Sequence, residues 1–115
     1  MVVDTPSEEQ IDRVFRALSD RTRRSILRDA IDGSLSVSAL ARRHPMSTAA
    51  VQKHVAVLVD AGLVTSTRVG RETRVQTDIA TLATAQALLD QLDALWRSRM
   101  AGINTLLTSE SEDTP

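Results

Sequence analysis

Leu40-Ala41-Arg42-Arg43-His44-Pro45-Met46-Ser47-Thr48-Ala49-Ala50-Val51 reads as the end of one helix, a sharp turn and the start of another. His44 precedes Pro45, whose ring pushes it out of the α region, so the upstream helix has to end there. Ser47 offers a hydroxyl to the orphan N–H groups of a helix that begins at the next residue. The small Ala41 suits a close helix crossing, Val51 fits the groove between the two helices, and Met46 closes the turn. Two short helices joined this way form a helix-turn-helix. The second is expected to be a rigid rod with its N-terminus exposed.

The flanks complete the architecture. Upstream, Ser7-Glu8-Glu9-Gln10 fits a capping box, and Ile11, Val14, Phe15 and Leu18 follow at helical spacing, which predicts a first helix over 8–18. Asp20 caps a second helix carrying Ile26, Leu27, Ala30 and Ile31, with Gly33 just past its end. Ser36 caps a short third helix through Arg43. The fourth, capped by Ser47, is expected to run to Ala61 with Val51, Val55, Leu58 and Val59 inward and Gly62 as terminator.

After Gly62 the period changes. Leu63 to Val69 and Glu72 to Thr77 are rich in Val and Thr and are separated by Gly70-Arg71, the pattern of a hairpin closed by a type II′ turn. Asp78 caps a last helix, expected from Ile79 to Leu107. Along it Leu82, Ala85, Leu89, Leu92, Trp96, Met100, Ile103 and Leu107 recur in steps of three and four, widened by Leu88, Leu95 and Leu106. The expected fold class is therefore mainly α with a small β-hairpin: four helices, two strands and a long helix, a winged helix-turn-helix. It occupies residues 8–107, between a flexible arm (1–7) and a disordered acidic tail (108–115).

Composition narrows the function. A chain of 115 residues suits one domain, and a 42% hydrophobic content supports a globular core. No run of about 18 apolar residues is present to span a membrane. The N-terminus has no secretory pattern, so the cytoplasm is the expected compartment. The absence of cysteine excludes disulfides, thiolate metal sites and a cysteine nucleophile. No nucleophile elbow, Gly-rich phosphate loop or H-E-x-x-H occurs, so no enzyme is expected, and no cofactor or metal.

Net charge is −1, but it is unevenly placed. Between Arg16 and Arg74 eleven Lys and Arg face five acids, while the flanks hold three arginines against ten acids. A local basic patch is what a polyanion senses, whatever the overall pI. Helical spacing puts Thr48, Ala49, Gln52, Lys53 and Ala56 on the outer face of the fourth helix, whose Ser47 end is suited to a phosphate. Gln52 matches adenine in a bidentate pair, Lys53 guanine or a phosphate, and Thr48 and Ala49 thymine methyls. Arg71 at the hairpin tip, flanked by Arg68 and Arg74 on the strand face away from Thr73 and Val75, suits a minor groove. His54 either touches phosphate or braces the third helix, and His44 is expected to pack or be solvated rather than bind metal.

The last helix would be about 43 Å long at 1.5 Å per residue, against a radius of gyration of about 13 Å for a small domain. Its apolar stripe needs a second chain. The expected seam is Leu89, Leu92, Trp96, Met100 and Ile103, joined by Phe15 and Leu18 of the first helix. Such a homodimer would present two recognition helices to successive turns of double-stranded DNA. The competing class is a winged-helix protein-interaction module that does not bind DNA, since fold alone does not decide function.

Val14-Phe15-Arg16-Ala17-Leu18-Ser19-Asp20-Arg21-Thr22-Arg23-Arg24-Ser25-Ile26-Leu27 closely resembles the opening signature of ArsR-type winged-helix repressors. Leu35 to Ala41 is similar to that family's third helix, Ser47 to Val64 to its recognition helix, and Gly70-Arg71 to its wing tip. The resemblance covers about residues 11–107. It implies a homodimer that binds an inverted-repeat operator and represses an adjacent promoter or its own. Ser36-Val37-Ser38 stands where metal-sensing members carry Cys-Val-Cys, and hydroxyls do not replace thiolates for soft metals. The last helix offers Asp90 and Asp93 but no histidine for the family's other metal site. Arg21 replaces a usual proline, and Thr73, Arg74 and Val75 stand where wing tyrosines are common. An inducer is not legible: a small-molecule effector between the last helix and the core, and control by protein level alone, both stay open.

Overall fold

A polar side chain opens each of the first four helices. The computed structural model describes residues 7–112, with side-chain surroundings through Leu107. Its elements are α1 (Glu8–Leu18), α2 (Arg21–Ile31), β1 (Leu35–Ser36), α3 (Val37–Arg43), α4 (Thr48–Asp60), β2 (Val64–Val69), β3 (Glu72–Thr77) and α5 (Ile79–Glu112). Ser7, Asp20, Ser36 and Ser47 each accept a hydrogen bond from the backbone N–H three residues on, at 3.0–3.2 Å. Each bond satisfies a donor that helix geometry leaves without a partner. Asp78 accepts from the Ala80 N–H at 3.0 Å at the start of α5.

α4 ends in a Schellman motif. The Leu63 N–H returns to the Leu58 carbonyl at 3.0 Å and the Gly62 N–H to Val59 at 2.9 Å, with Gly62 at φ +78°. That left-handed conformation is why glycine stands here. Leu58 and Leu63 are both fully buried, the apolar contact that accompanies the motif. At the hairpin, Gly70 has φ +64° while Arg71 does not enter the left-handed region, as a type II′ turn requires.

The sheet is antiparallel with strand order β1-β3-β2. β1 is an addition to the hairpin expected from sequence: Leu35 pairs with Val75 and Ser36 with Arg74, on the edge of β3. Two residues are too few to show a period, and only the free edge of β3 makes them a strand. In the unit that runs through Ala85, Val14, Ile26, Leu40, Val51, Leu58, Leu63, Val64 and Val75 are almost completely buried. Each such side chain contributes roughly 1.5–3 kcal/mol.

Three expectations need correction. Val59, expected inward, is 40% exposed, and Ile31, read as part of the apolar pattern of the second helix, is 55% exposed. Each follows a buried neighbour, Leu58 or Ala30, and the 100° step per residue carries it off the covered face. α5 does not stop at Leu107 but continues to Glu112. Thr108-Ser109-Glu110-Ser111-Glu112 contains neither glycine nor proline to end it. The arm expected over 1–7 lies outside the described residues except for Ser7, as does the tail beyond Glu112.

The second unit, from Gln86 on, is the remainder of α5. Along it Leu89, Leu92, Leu95, Trp96, Met100, Ile103, Leu106 and Leu107 are all exposed. Among the described residues no helix is long and apolar enough to cross a membrane.

Candidate nucleic-acid interface

The two faces of α4 separate cleanly. Val51, Val55 and Leu58 are buried, and the helix packs against α1, α2, α3 and β2. Ser47, Thr48, Ala49, Gln52, Lys53 and Ala56 are exposed on the other side. The first two turns therefore offer two donor-bearing long side chains and two small ones from a backbone held on several sides. A groove of about 420 Å³ runs between α4 and the wing. Gln52 and Ala56 stand on its helix side, Ser66 and Thr73 on its strand side, and the buried Val37 and Val55 below.

The wing distributes its arginines differently from the sequence expectation. Arg68 pairs with Thr73 and Thr67 with Arg74. Directly opposed residues share a face of an antiparallel pair, and side chains alternate along each strand. Arg68 thus lies on the face of Thr73 and the buried Val75, and Arg74 on the opposite face with Thr67 and Glu72. The two-residue turn makes opposed residues differ in parity, so two even-numbered residues on different strands point apart. Arg74 is also engaged: it donates to the Ser34 carbonyl at 3.2 Å and to Glu72 at 3.1 Å. It ties the wing to the segment before β1. Arg68 and Arg71 remain exposed at the hairpin's outer end.

His54 does not brace the third helix, one of its two expected roles. Its Nδ1 faces the junction of α1 and α2, 3.5 Å from Arg23 Nη1 and 3.9 Å from Asp20 Oδ2, and its side chain is largely covered. The same Arg23 donates to the carbonyls of Ala17 (2.9 Å) and Arg16 (3.0 Å), closing the C-terminus of α1. His54 therefore braces α4 against the start of α2, not against α3. The Arg23 backbone N–H holds the Asp20 carboxyl below its ordinary pKa, with further help from the charges of Arg23 and His54.

Other neighbours of the site were not legible in sequence. Arg13 and Arg16 of α1 line a recess of about 300 Å³ together with Ala56, Val57 and Asp60 of α4. Some forty residues separate the two helices in sequence, and no local pattern announces that contact. Phe15 and Leu18 of α1 are half-buried and pack on the core. On α5, Asp90 accepts from Gln86 and Asp93 from Arg97. Among the described residues no three of His, Asp and Glu gather closely enough to share a metal ion.

Comparison with known proteins adds three likenesses and a family match. A family model described as a helix-turn-helix domain matches residues 18–67. The HTH-type transcriptional regulator Rv2034 of Mycobacterium tuberculosis is 40% identical over 103 residues, covering 90% of this chain and 94% of its own. An ArsR-like transcriptional regulator from Rhodococcus sp. RHA1 has a similar structure, with TM-score 0.77 and 39% identity over 85% of this chain and 92% of that one. A crystal structure of an ArsR family transcriptional regulator is similar at TM-score 0.76 and 30% identity, covering 82% and 97%.

Proposed function

The chain belongs to the ArsR family of helix-turn-helix transcriptional regulators, and from that premise we propose that it is a homodimeric repressor of an inverted-repeat operator. In this reading α4 enters the major groove, where Gln52 and Lys53 address base edges and phosphate and Thr48 and Ala49 meet thymine methyls. Ser47 and the helix N-terminus lie against a phosphate. Arg68 and Arg71 reach the minor groove from the wing, whereas Arg74 stiffens it and His54 supports α4 from behind. A dimer seated over a promoter, its own included, excludes polymerase.

The observation that carries this reading is the division of α4: a buried Val51-Val55-Leu58 side and an exposed Thr48-Ala49-Gln52-Lys53 side. A helix held this way loses little conformational freedom on docking. The dimer is supported by the uncovered apolar residues of α5 from Leu89 to Ile103; in this reading Phe15 and Leu18 of α1, half-buried against the core, give their remaining surface to the partner. Exposed apolar area on that scale is covered by association.

A gel shift with the DNA upstream of the gene tests the proposal. Binding should be specific and should weaken steeply with salt, because each phosphate neutralised by Lys or Arg releases counterions. No binding at low salt, or binding indifferent to salt, would overturn it. Repression is tested by transcription from that promoter in vitro, which should fall on adding the protein.

A further inference from the structure

Asp29, on the helix before the helix-turn-helix, receives one group from the end of α3 and one from the turn that leads into α4. Its Oδ2 accepts from His44 Nε2 at 3.2 Å, and Arg43 Nη1 lies 3.6 Å from its Oδ1. The His44 side chain is only 9% exposed and that of Asp29 23%. His44 is the residue at which the chain leaves α3, in extended conformation, and its carbonyl accepts the Met46 N–H at 2.8 Å. Ser47, the cap of α4, follows directly. The link from His44 to Ser47 is thus short, contains a proline with fixed φ, and is anchored at its first residue by a side chain bound to α2.

We propose that Asp29 is a positioning residue: through His44, and more weakly through Arg43, it sets the pose of the first turn of α4 and hence the affinity for DNA, without touching DNA itself. The inference rests on the DNA-binding reading above. The two contacts differ in weight. Arg43 is half exposed, so its ion pair is screened and contributes little. His44 is almost covered, and without Asp29 its Nε2–H loses its acceptor, which costs more than an exposed bond would. The ring would turn to seek water and the turn would shift with it. A displacement of this kind at the start of α4 moves Thr48, Ala49, Gln52 and Lys53 together.

The test measures affinity for an upstream DNA fragment by fluorescence anisotropy, beside thermal stability and sedimentation, for the wild type, Asp29→Ala, Asp29→Asn, His44→Phe and Asp29→Ala/His44→Phe. Asp29→Ala and His44→Phe should each weaken binding about tenfold, equivalent to about 1.4 kcal/mol. The double variant should be no weaker than either single one, as groups acting through one contact are not additive. Asp29→Asn keeps an oxygen that accepts from His44 and should restore most of the affinity. The dependence on salt should not change, since no phosphate contact is removed. Backbone amide resonances of Thr48 to Val51 should move in Asp29→Ala and stay near wild type in Asp29→Asn. Wild-type affinity in Asp29→Ala, additive losses, or an Asp29→Asn as weak as the alanine variant would overturn the proposal. Should Asp29→Ala not fold, His44→Phe carries the same expectation, and wild-type affinity there overturns it. Should the folded wild type bind no upstream DNA, the DNA reading fails, while unmoved Thr48–Val51 amides in Asp29→Ala would separately refute the positioning role of Asp29.

Discussion

Replacing Gly62 with alanine tests the joint that ends α4. Gly62 sits at φ +78°, where an L-residue places Cβ against the following carbonyl at a cost of about 1–2 kcal/mol. An added Cβ would stand 3.4 Å from Thr81 Oγ1 and 3.7 Å from Gln10 Nε2, ordinary contact distances. The cost is therefore backbone strain and not a clash. Alanine also restricts the unfolded chain, which offsets about 0.4–1 kcal/mol. The net loss should be about 1 kcal/mol, a fall in Tm of about 4–8 °C for a domain near this size. Gly33→Ala is the control: nothing lies within 4 Å of the new Cβ and φ is not left-handed, so stability should hold or rise slightly. Urea and thermal denaturation followed by circular dichroism, at one fixed protomer concentration because dimers gain stability by mass action, measure both. A Gly62→Ala variant as stable as Gly33→Ala would refute the left-handed cap. A loss above about 3 kcal/mol would refute the absence of steric conflict, since strain at one residue does not reach it.

Three further outcomes are expected. Gln52→Ala should relax base preference at one operator position by about 1–3 kcal/mol, whereas Lys53→Ala should lower the salt slope by about 0.9 if it meets a phosphate; wild-type binding and specificity in both would remove α4's outer face from the reading. Trp96→Asp, at a site 61% exposed in the single chain, should weaken the dimer by about 2 kcal/mol or more as a central aromatic anchor does, and an unchanged dimer by sedimentation would place the seam elsewhere. Asp20 is depressed in the folded state, so its charge adds stability that is fully present above the ordinary carboxylate pKa of about 3.9 and is lost as pH falls through the lower folded value. The stability difference between wild type and Asp20→Asn should accordingly shrink on acidification; a difference constant from pH 7 to pH 2 would contradict the Arg23 cap.

Local chemistry was enough for the five helices, the hairpin and their order. Ser7, Asp20, Ser36 and Ser47 each cap a helix because a short polar side chain reaches the orphan N–H three residues ahead, an interaction within one turn. Pro45 stops α3, Gly62 stops α4 and Gly70 turns the wing for equally local reasons. The exposed Thr48, Ala49, Gln52 and Lys53 follow from the 3.6-residue period once Val51 and Val55 point inward.

What depends on contacts across the chain was decided only by the tertiary structure. Arg68 and Arg74 look alike in sequence, but strand pairing puts them on opposite faces and gives Arg74 to Ser34 and Glu72. Leu35 and Ser36 became a strand because β3 had an open edge. His54 found Asp20 and Arg23, and His44 found Asp29, across gaps that no period spans. Helix caps and turns are closed by neighbours in sequence, so a one-dimensional text contains both partners. A side chain's partner across a core is chosen by packing, and packing exists only once the elements have come together.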